Sequence, residues 1–219
     1  MADKAIIAGA TGLIGSNLLN ILLTKPKYDE VLVLVRKSTG IKHEKLTELV
    51  IDFDQLDDYK DKIAGHALFC CLGSTQRKTP DLKIYRKIDH DYPVKLAQIA
   101  KQNDVDQYHI VSSLGANSTA GSFYLKTKGK TEEDIKQVGL KCLHIYQPAL
   151  LTGERKEYRG PMEKVVTVLM KVIDPLLFGS LKKHKSIPGQ TVAMAMFKES
   201  INNNEGLFIH PSDNIKQIA

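Results

Sequence analysis

Apolar positions follow two spacings along the chain, and the spacings take turns. Lys4-Ala5-Ile6-Ile7-Ala8 is an apolar run of strand length. After it, Leu13, Ile14, Asn17, Leu18, Ile21 and Leu22 recur at the spacing of one helical face and stop near Lys25-Pro26. "EVLVLVR" (Glu30 to Arg36) is nearly continuously apolar, as expected of a strand covered on both faces. "LTELVID" (Leu46 to Asp52) reads as a shorter strand, and "HALFCCLG" (His66 to Gly73) as another buried one. A helical stretch runs from Pro80-Asp81 to about Asn103, followed by a strand at "YHIVSS" (Tyr108 to Ser113) and a helix from Phe123 to Val138. "KCLHIYQPALL" (Lys141 to Leu151) predicts a strand running out into a loop. This alternation predicts an α/β protein with a doubly wound parallel sheet and right-handed crossovers.

Beyond Gly153 the pattern changes. A helix is expected from Pro161 to about Ile173, another at "TVAMAMFKESI", a short strand at "GLFIHP", and a last helical turn or two at "SDNIKQIA". Residues 154–219 are too few for a second domain with its own core. They are expected to form a small C-terminal lid and substrate segment on a single domain spanning 1–219. No internal repeat or low-complexity tract is present.

The composition is that of an ordinary globular protein, with 42% hydrophobic and 26% charged residues. No stretch reaches the apolar length of a membrane span, and no signal-peptide pattern opens the chain. The formal net charge of +6 comes from scattered lysines. The densest basic run, Lys182-Lys183-His184-Lys185, accompanies no nucleic-acid module, so no specific nucleic-acid partner is expected. Cys70, Cys71 and Cys142 lie in apolar strand-like runs without metal-ligand spacing. They read as buried reduced thiols and place the protein in the cytoplasm. His43, His66, His90, His109, His144, His184 and His210 also lack ligand spacing, so no metal site is expected. Of these, His90 in "IDHDYP" lies on a helix expected near the ligand.

"AGATGLIGS" sets Gly9, Gly12 and Gly15 three residues apart between the first strand and the first helix. The free amides of a helix start favour an anion there. Gly9 permits the tight turn, Gly12 lets a pyrophosphate approach the backbone, and Gly15 lets the helix pack on the strand, so the loop predicts a bound dinucleotide. Thr11, Leu13 and Ile14 line the same turn. Arg36-Lys37 ends the second strand, where a basic residue accommodates the 2′-phosphate of NADP(H) rather than the free 2′-hydroxyl of NAD. Asp52-Phe53 is placed to hold the adenine amino group. Leu72, Gly73 and Ser74 end the fourth strand at the ligand edge.

Ser112-Ser113 ends the fifth strand, and Tyr124 and Lys128 stand four apart on the next helix, on one face. An ammonium beside a phenol favours the phenolate, and a nearby serine hydroxyl can hold a carbonyl oxygen. Ser113, Tyr124 and Lys128 are therefore the candidate catalytic residues for carbonyl reduction or alcohol oxidation.

From the glycine loop to Gln147-Pro148 the chain resembles the short-chain dehydrogenase/reductase superfamily. The closer resemblance is to its atypical Tat-interacting (metastasis suppressor) branch, carried by "GATGLIGSNLL", "LFCCLGST", "DHDY", "SSLGANS", "FYLKTKGKTE" and "QPALLTGER". The resemblance implies an NADPH-binding Rossmann fold with Ser113, Tyr124 and Lys128 at the catalytic positions and Pro148 and Leu150 beside the cofactor. Gln147 stands where superfamily members often have arginine. The sequence thus implies an NADP-dependent oxidoreductase acting on a small carbonyl or alcohol. The alternatives are an NADPH-sensing regulator of a protein partner, and an enzyme of the nucleotide-sugar epimerase or dehydratase type.

Overall fold

Seven parallel strands build the central sheet of the computed structural model, which describes residues 3–153 and 185–219. In chain order they are β1 (Lys4–Ala8), β2 (Glu30–Val35), β3 (Leu46–Val50), β4 (Ala67–Cys70), β5 (Gln107–Val111), β6 (Cys142–Gln147) and, after a two-residue pair β7 (Leu151–Thr152) and β8 (Ile187–Pro188), β9 (Gly206–Pro211). Their order across the sheet is β3-β2-β1-β4-β5-β6-β9. β1 pairs with β2 on one side and β4 on the other, Ile7 facing Val33 and Phe69. Chain direction across the sheet reverses there, which opens a crevice beyond the carboxyl ends of β1 and β4.

Helices cover both faces because the strands are apolar on both. On one face Ala5, Ile7, Val31, Val33 and Phe69 pack under α1 (Leu13–Thr24), α5 (Gly189–Ile201) and α6 (Ser212–Ile218). On the other, Ile6, Ala8, Leu32, Leu34 and Leu68 pack with α3 (Tyr92–Gln102), α4 (Phe123–Gln137) and a run of 3₁₀ turns over Phe53–Lys62. Alternate residues of one strand thus serve two cores. Truncating a fully buried member such as Ile6 to alanine costs about 2–5 kcal/mol.

The long helix expected from Asp81 to Asn103 forms with one irregularity. α2 (Leu82–Arg86) passes into α3 through a π-turn at Lys87–Asp91. Such turns insert an extra residue and re-aim the side chains on either side. The expected strand at "GLFIHP" pairs in parallel with β6, His144 facing Phe208, and α5 packs against α1. Residues 187–219 are therefore part of the main fold. The helix expected from Pro161 to Ile173 lies outside the described residues. Among the described residues no helix is long and apolar enough to cross a membrane.

Candidate active site

The glycine turn closes tightly on its surroundings at two of its three positions. Gly9 has φ +89°, which disfavours a side chain, and a Cβ there would stand 2.6 Å from the Cys71 carbonyl oxygen. A Cβ on Gly15 would stand 2.2 Å from the Gly9 oxygen, so only glycine lets α1 seat on the turn. Gly12 differs. A Cβ there would approach no atom nearer than the Gly9 oxygen at 3.4 Å, an ordinary contact, so the protein's own packing does not require glycine there. Gly12 also caps α1 without a side-chain hydrogen bond, and no acidic residue occupies the first turn. A helix start left uncapped and uncrowded at the crevice fits the phosphates of a dinucleotide. Leu13 fills the space beside Gly189, where a Cβ would come within 2.7 Å of its Cγ.

Arg36 and Lys37 are exposed just past β2, and Asp52 follows the neighbouring β3, with the Ile51 amide donating to the Val35 carbonyl at 2.8 Å. These residues lie at the same sheet edge as the glycine turn, on the two strands to one side of it. Asp52 Oδ1 accepts the Asp54 amide at 2.9 Å and caps the 3₁₀ run. Phe53 is buried against the Tyr92 ring at 5.5 Å.

Past β4, Gly73 and Ser74 meet two charged side chains. Lys128 reaches inward from α4, and its Nζ lies 3.1 Å from Asp89 Oδ1 and donates to the Val111 carbonyl at 3.3 Å. Asp89 sits in the π-turn, and its other oxygen accepts the Ser74 amide at 2.7 Å. A Cβ at Gly73 would lie 3.6 Å from Asp89 and 3.9 Å from Lys128. One ion pair therefore joins the ends of β4 and β5 to α4. Burial, the largest single influence, opposes the charge on Lys128, but the Asp89 carboxylate together with Tyr124 and Cys70 outweighs it and holds the pKa above the usual lysine value.

Tyr124 stands one turn before Lys128 on α4 and is 37% exposed. Among the described residues its hydroxyl has no partner. Of the serine pair, Ser112 is buried and donates to Glu132, which also accepts the Gln147 amide through both oxygens at 2.9 and 3.0 Å. Ser113 is partly exposed, its hydroxyl making only a long 3.4 Å contact to the Leu114 carbonyl. Ser112 is thus committed to the fold, while the Ser113 hydroxyl keeps no close partner among the described residues. Gln147 is likewise committed, to Glu132. The Pro148 carbonyl accepts the Leu114 amide at 3.0 Å, which draws the β6 exit against Ser113. Leu150 is exposed, and its carbonyl accepts the Ile187 amide.

Three residues escaped the sequence reading. Asp89 stands close to Asp91 and Glu132 opens the acidic run Glu132-Glu133-Asp134, so nothing in the sequence marks either from its acidic neighbours. Gly129 looks like a helix flaw, but a Cβ there would stand 2.2 Å from the Asn117 carbonyl carbon, so it lets the 113–121 loop cross α4. His90, by contrast, turns to Asp91 at 2.6 Å and Asp134 at 2.9 Å and away from the ion pair.

A family model described as NAD(P)H-binding matches residues 9–168. The chain belongs to that family. Rat protein HTATIP2 is 29% identical over 94% of this chain and 85% of its own. The mitochondrial protein FMP52 of Candida albicans is 30% identical over 72% of this chain and 71% of its own. The chain is thus similar to both relatives over most of its own length and of theirs. Among solved structures, the Bordetella bronchiseptica enzyme WbmH in complex with NAD+ superposes with a TM-score of 0.73 at 18% identity, covering 96% of this chain and 76% of that one. At that identity the likeness shows the Rossmann-like fold, and this NAD(P)H-binding family member keeps it in full across its described strands.

Proposed function

We propose that this protein is an NADP(H)-dependent oxidoreductase that transfers hydride to or from a small carbonyl or alcohol. The observation that carries the reading is the buried Lys128 ammonium set one helical turn from Tyr124. A bound nicotinamide supplies or accepts the hydride.

The uncapped start of α1 and the uncrowded Gly12 would hold the pyrophosphate, and Arg36 with Lys37 the 2′-phosphate. Thr11 and Leu13 to Gly15 line that turn. Leu72, Gly73 and Ser74, with Pro148 and Leu150, would border the nicotinamide half. Lys128 has three N–H donors, of which Val111 takes one and the Asp89 carboxylate draws another by charge. The third is left for Tyr124 or the ribose. Ser113 would hold the substrate oxygen while Tyr124 gives or takes the proton there. The partly exposed phenol meets substrate, and the buried ammonium steadies its phenolate form.

Three free cysteines, two of them buried, suit a reducing compartment such as the cytoplasm. A cofactor-sensing role is the second reading, but it has no use for a serine, a tyrosine and a lysine of the Ser113, Tyr124 and Lys128 kind. The test is NADPH oxidation with a panel of aldehydes and ketones. Reduction of at least one, abolished in Lys128→Ala, supports the enzyme. Tight NADPH binding with no turnover on any compound favours the sensor.

A further inference from the structure

The last strands carry a polar cluster on the sheet face opposite α4. His109 on β5, His144 on β6 and His210 on β9 are all buried there. The His109 and His144 rings stack at 4.5 Å with 3° between their planes, and those of His144 and His210 at 5.2 Å and 6°. A buried imidazole must have its nitrogens partnered. His109 is fully provided for by Gln107 at 3.0 Å and the Tyr146 hydroxyl at 3.1 Å.

His144 and His210 instead aim nitrogens at each other, His144 Nδ1 and His210 Nε2 lying 2.9 Å apart. Glu199 on α5 brings Oε2 to 3.9 Å from His144 Nδ1. The three donor atoms lie within 4.8 Å of one another. The far nitrogen of each ring is also held. His210 Nδ1 donates to the Asn214 side-chain oxygen Oδ1 at 2.8 Å, and His144 Nε2 meets Cys142 Sγ at 3.1 Å. Holding the outer nitrogen is what orients a metal-ligating histidine and fixes its tautomer.

We propose that His144, His210 and Glu199 form a binding site for a divalent transition-metal ion of the zinc class. Two imidazoles and one carboxylate suit zinc, whereas magnesium and calcium take oxygen donors. Zinc–nitrogen bonds of about 2.0–2.1 Å in a tetrahedron put the two nitrogens about 3.4 Å apart. The rings need part by only about 0.5 Å from their present spacing. The ion takes the place of the hydrogen bond between the rings, and the proton moves from Nδ1 of His144 to its Nε2, facing Cys142. Water completes the shell on the side of Glu199, the one partly exposed member. The site joins β6, α5 and β9 on the face away from Lys128, so the ion acts as a clasp on the fold.

The sequence expectation of no metal site rested on spacing, and here the three ligands come from three separate elements. The test uses the full chain after chelator treatment, titrated with Zn²⁺ and then with Co²⁺. One equivalent of zinc should bind at micromolar level or tighter. His210→Ala and Glu199→Gln should each weaken it at least about tenfold, while the exposed-site variant His43→Ala leaves it unchanged. Cobalt should give visible ligand-field bands without a thiolate charge-transfer band, because Cys142 lies behind His144. Glu199→Gln keeps side-chain size at a partly exposed position, and circular dichroism checks each variant's fold. No zinc uptake at micromolar level, equal uptake in folded Glu199→Gln, or a thiolate band would each overturn the site.

Discussion

Lys128 Nζ lies 3.1 Å from Asp89 Oδ1, and neither side chain is more than 6% exposed. This pair ties α4 to the π-turn and sets the charge beneath Tyr124. Removing one member leaves a buried charge without its partner, which costs about 3–5 kcal/mol. Asp89→Ala should lose stability on that scale in urea unfolding. The double variant Lys128→Met with Asp89→Asn, which keeps an acceptor for the Ser74 amide, should lose less than the sum of the two single changes. Additive losses would show that the pair is not coupled.

The glycine turn gives a contrast within one motif. Gly15→Ala drives a methyl into the Gly9 carbonyl and should cost at least about 1–3 kcal/mol of stability. Gly12→Ala meets no such obstacle and should stay within about 1 kcal/mol of the parent, yet bind NADPH more weakly. Thermal unfolding and cofactor titration of the two variants separate the effects. Undiminished NADPH binding by Gly12→Ala would remove the phosphate role from that position.

Arg36 stands exposed beyond β2. A charge-assisted contact to phosphate is worth about 1.5–3 kcal/mol, roughly ten- to a hundredfold in affinity. Calorimetry should find NADPH preferred over NADH by that factor, and Arg36→Ala should erase most of the preference while leaving NADH binding nearly unchanged. Equal affinities in the parent protein would contradict the assignment.

The buried imidazoles make stability depend on pH. Burial lowers the pKa of His144 to about 3 and that of His109 well below its usual value, with their histidine neighbours adding to the effect. The unfolded chain binds protons at these histidines near pH 6.5 and the folded chain does not. Their stabilising contribution is therefore present above pH 6.5 and is lost as the pH falls from there toward 3. Each contributes a slope of up to about 1.4 kcal/mol per pH unit. Glu199, Cys142 and His210 face His144 and stay in place when His144→Gln flattens the slope. Urea unfolding of the chelator-treated protein at pH 7 and pH 5 measures it, and equal slopes in parent and variant would contradict the account.

The strands and their order of appearance were legible because a parallel sheet buried on both faces writes continuous apolar runs such as "EVLVLVR", and α4 matched its expected range to one residue. The glycine turn was legible because steric demand at Gly9 and Gly15 leaves a spacing in the sequence. Long-range pairings leave none. Asp89 finds Lys128 only through the re-aiming at Lys87–Asp91, and nothing in "IDHDYP" distinguishes it from Asp91 or from His90, which drew the attention instead. The same holds for Ser112, Glu132 and Gln147, which meet across β5, α4 and β6. The C-terminal strand was foreseen, but its place beside β6 depends on sheet order, which local periodicity does not encode.

Tyr124→Phe tests the central claim most directly. The change deletes one hydroxyl from a partly exposed ring and leaves Lys128, Asp89 and the glycine turn in place. Steady-state NADPH oxidation, with a carbonyl substrate found by screening, should fall by about 10²–10⁴-fold, the usual contribution of general acid–base catalysis. NADPH affinity and unfolding midpoint should stay near the parent values. A Tyr124→Phe protein that turns over at the parent rate would contradict the account.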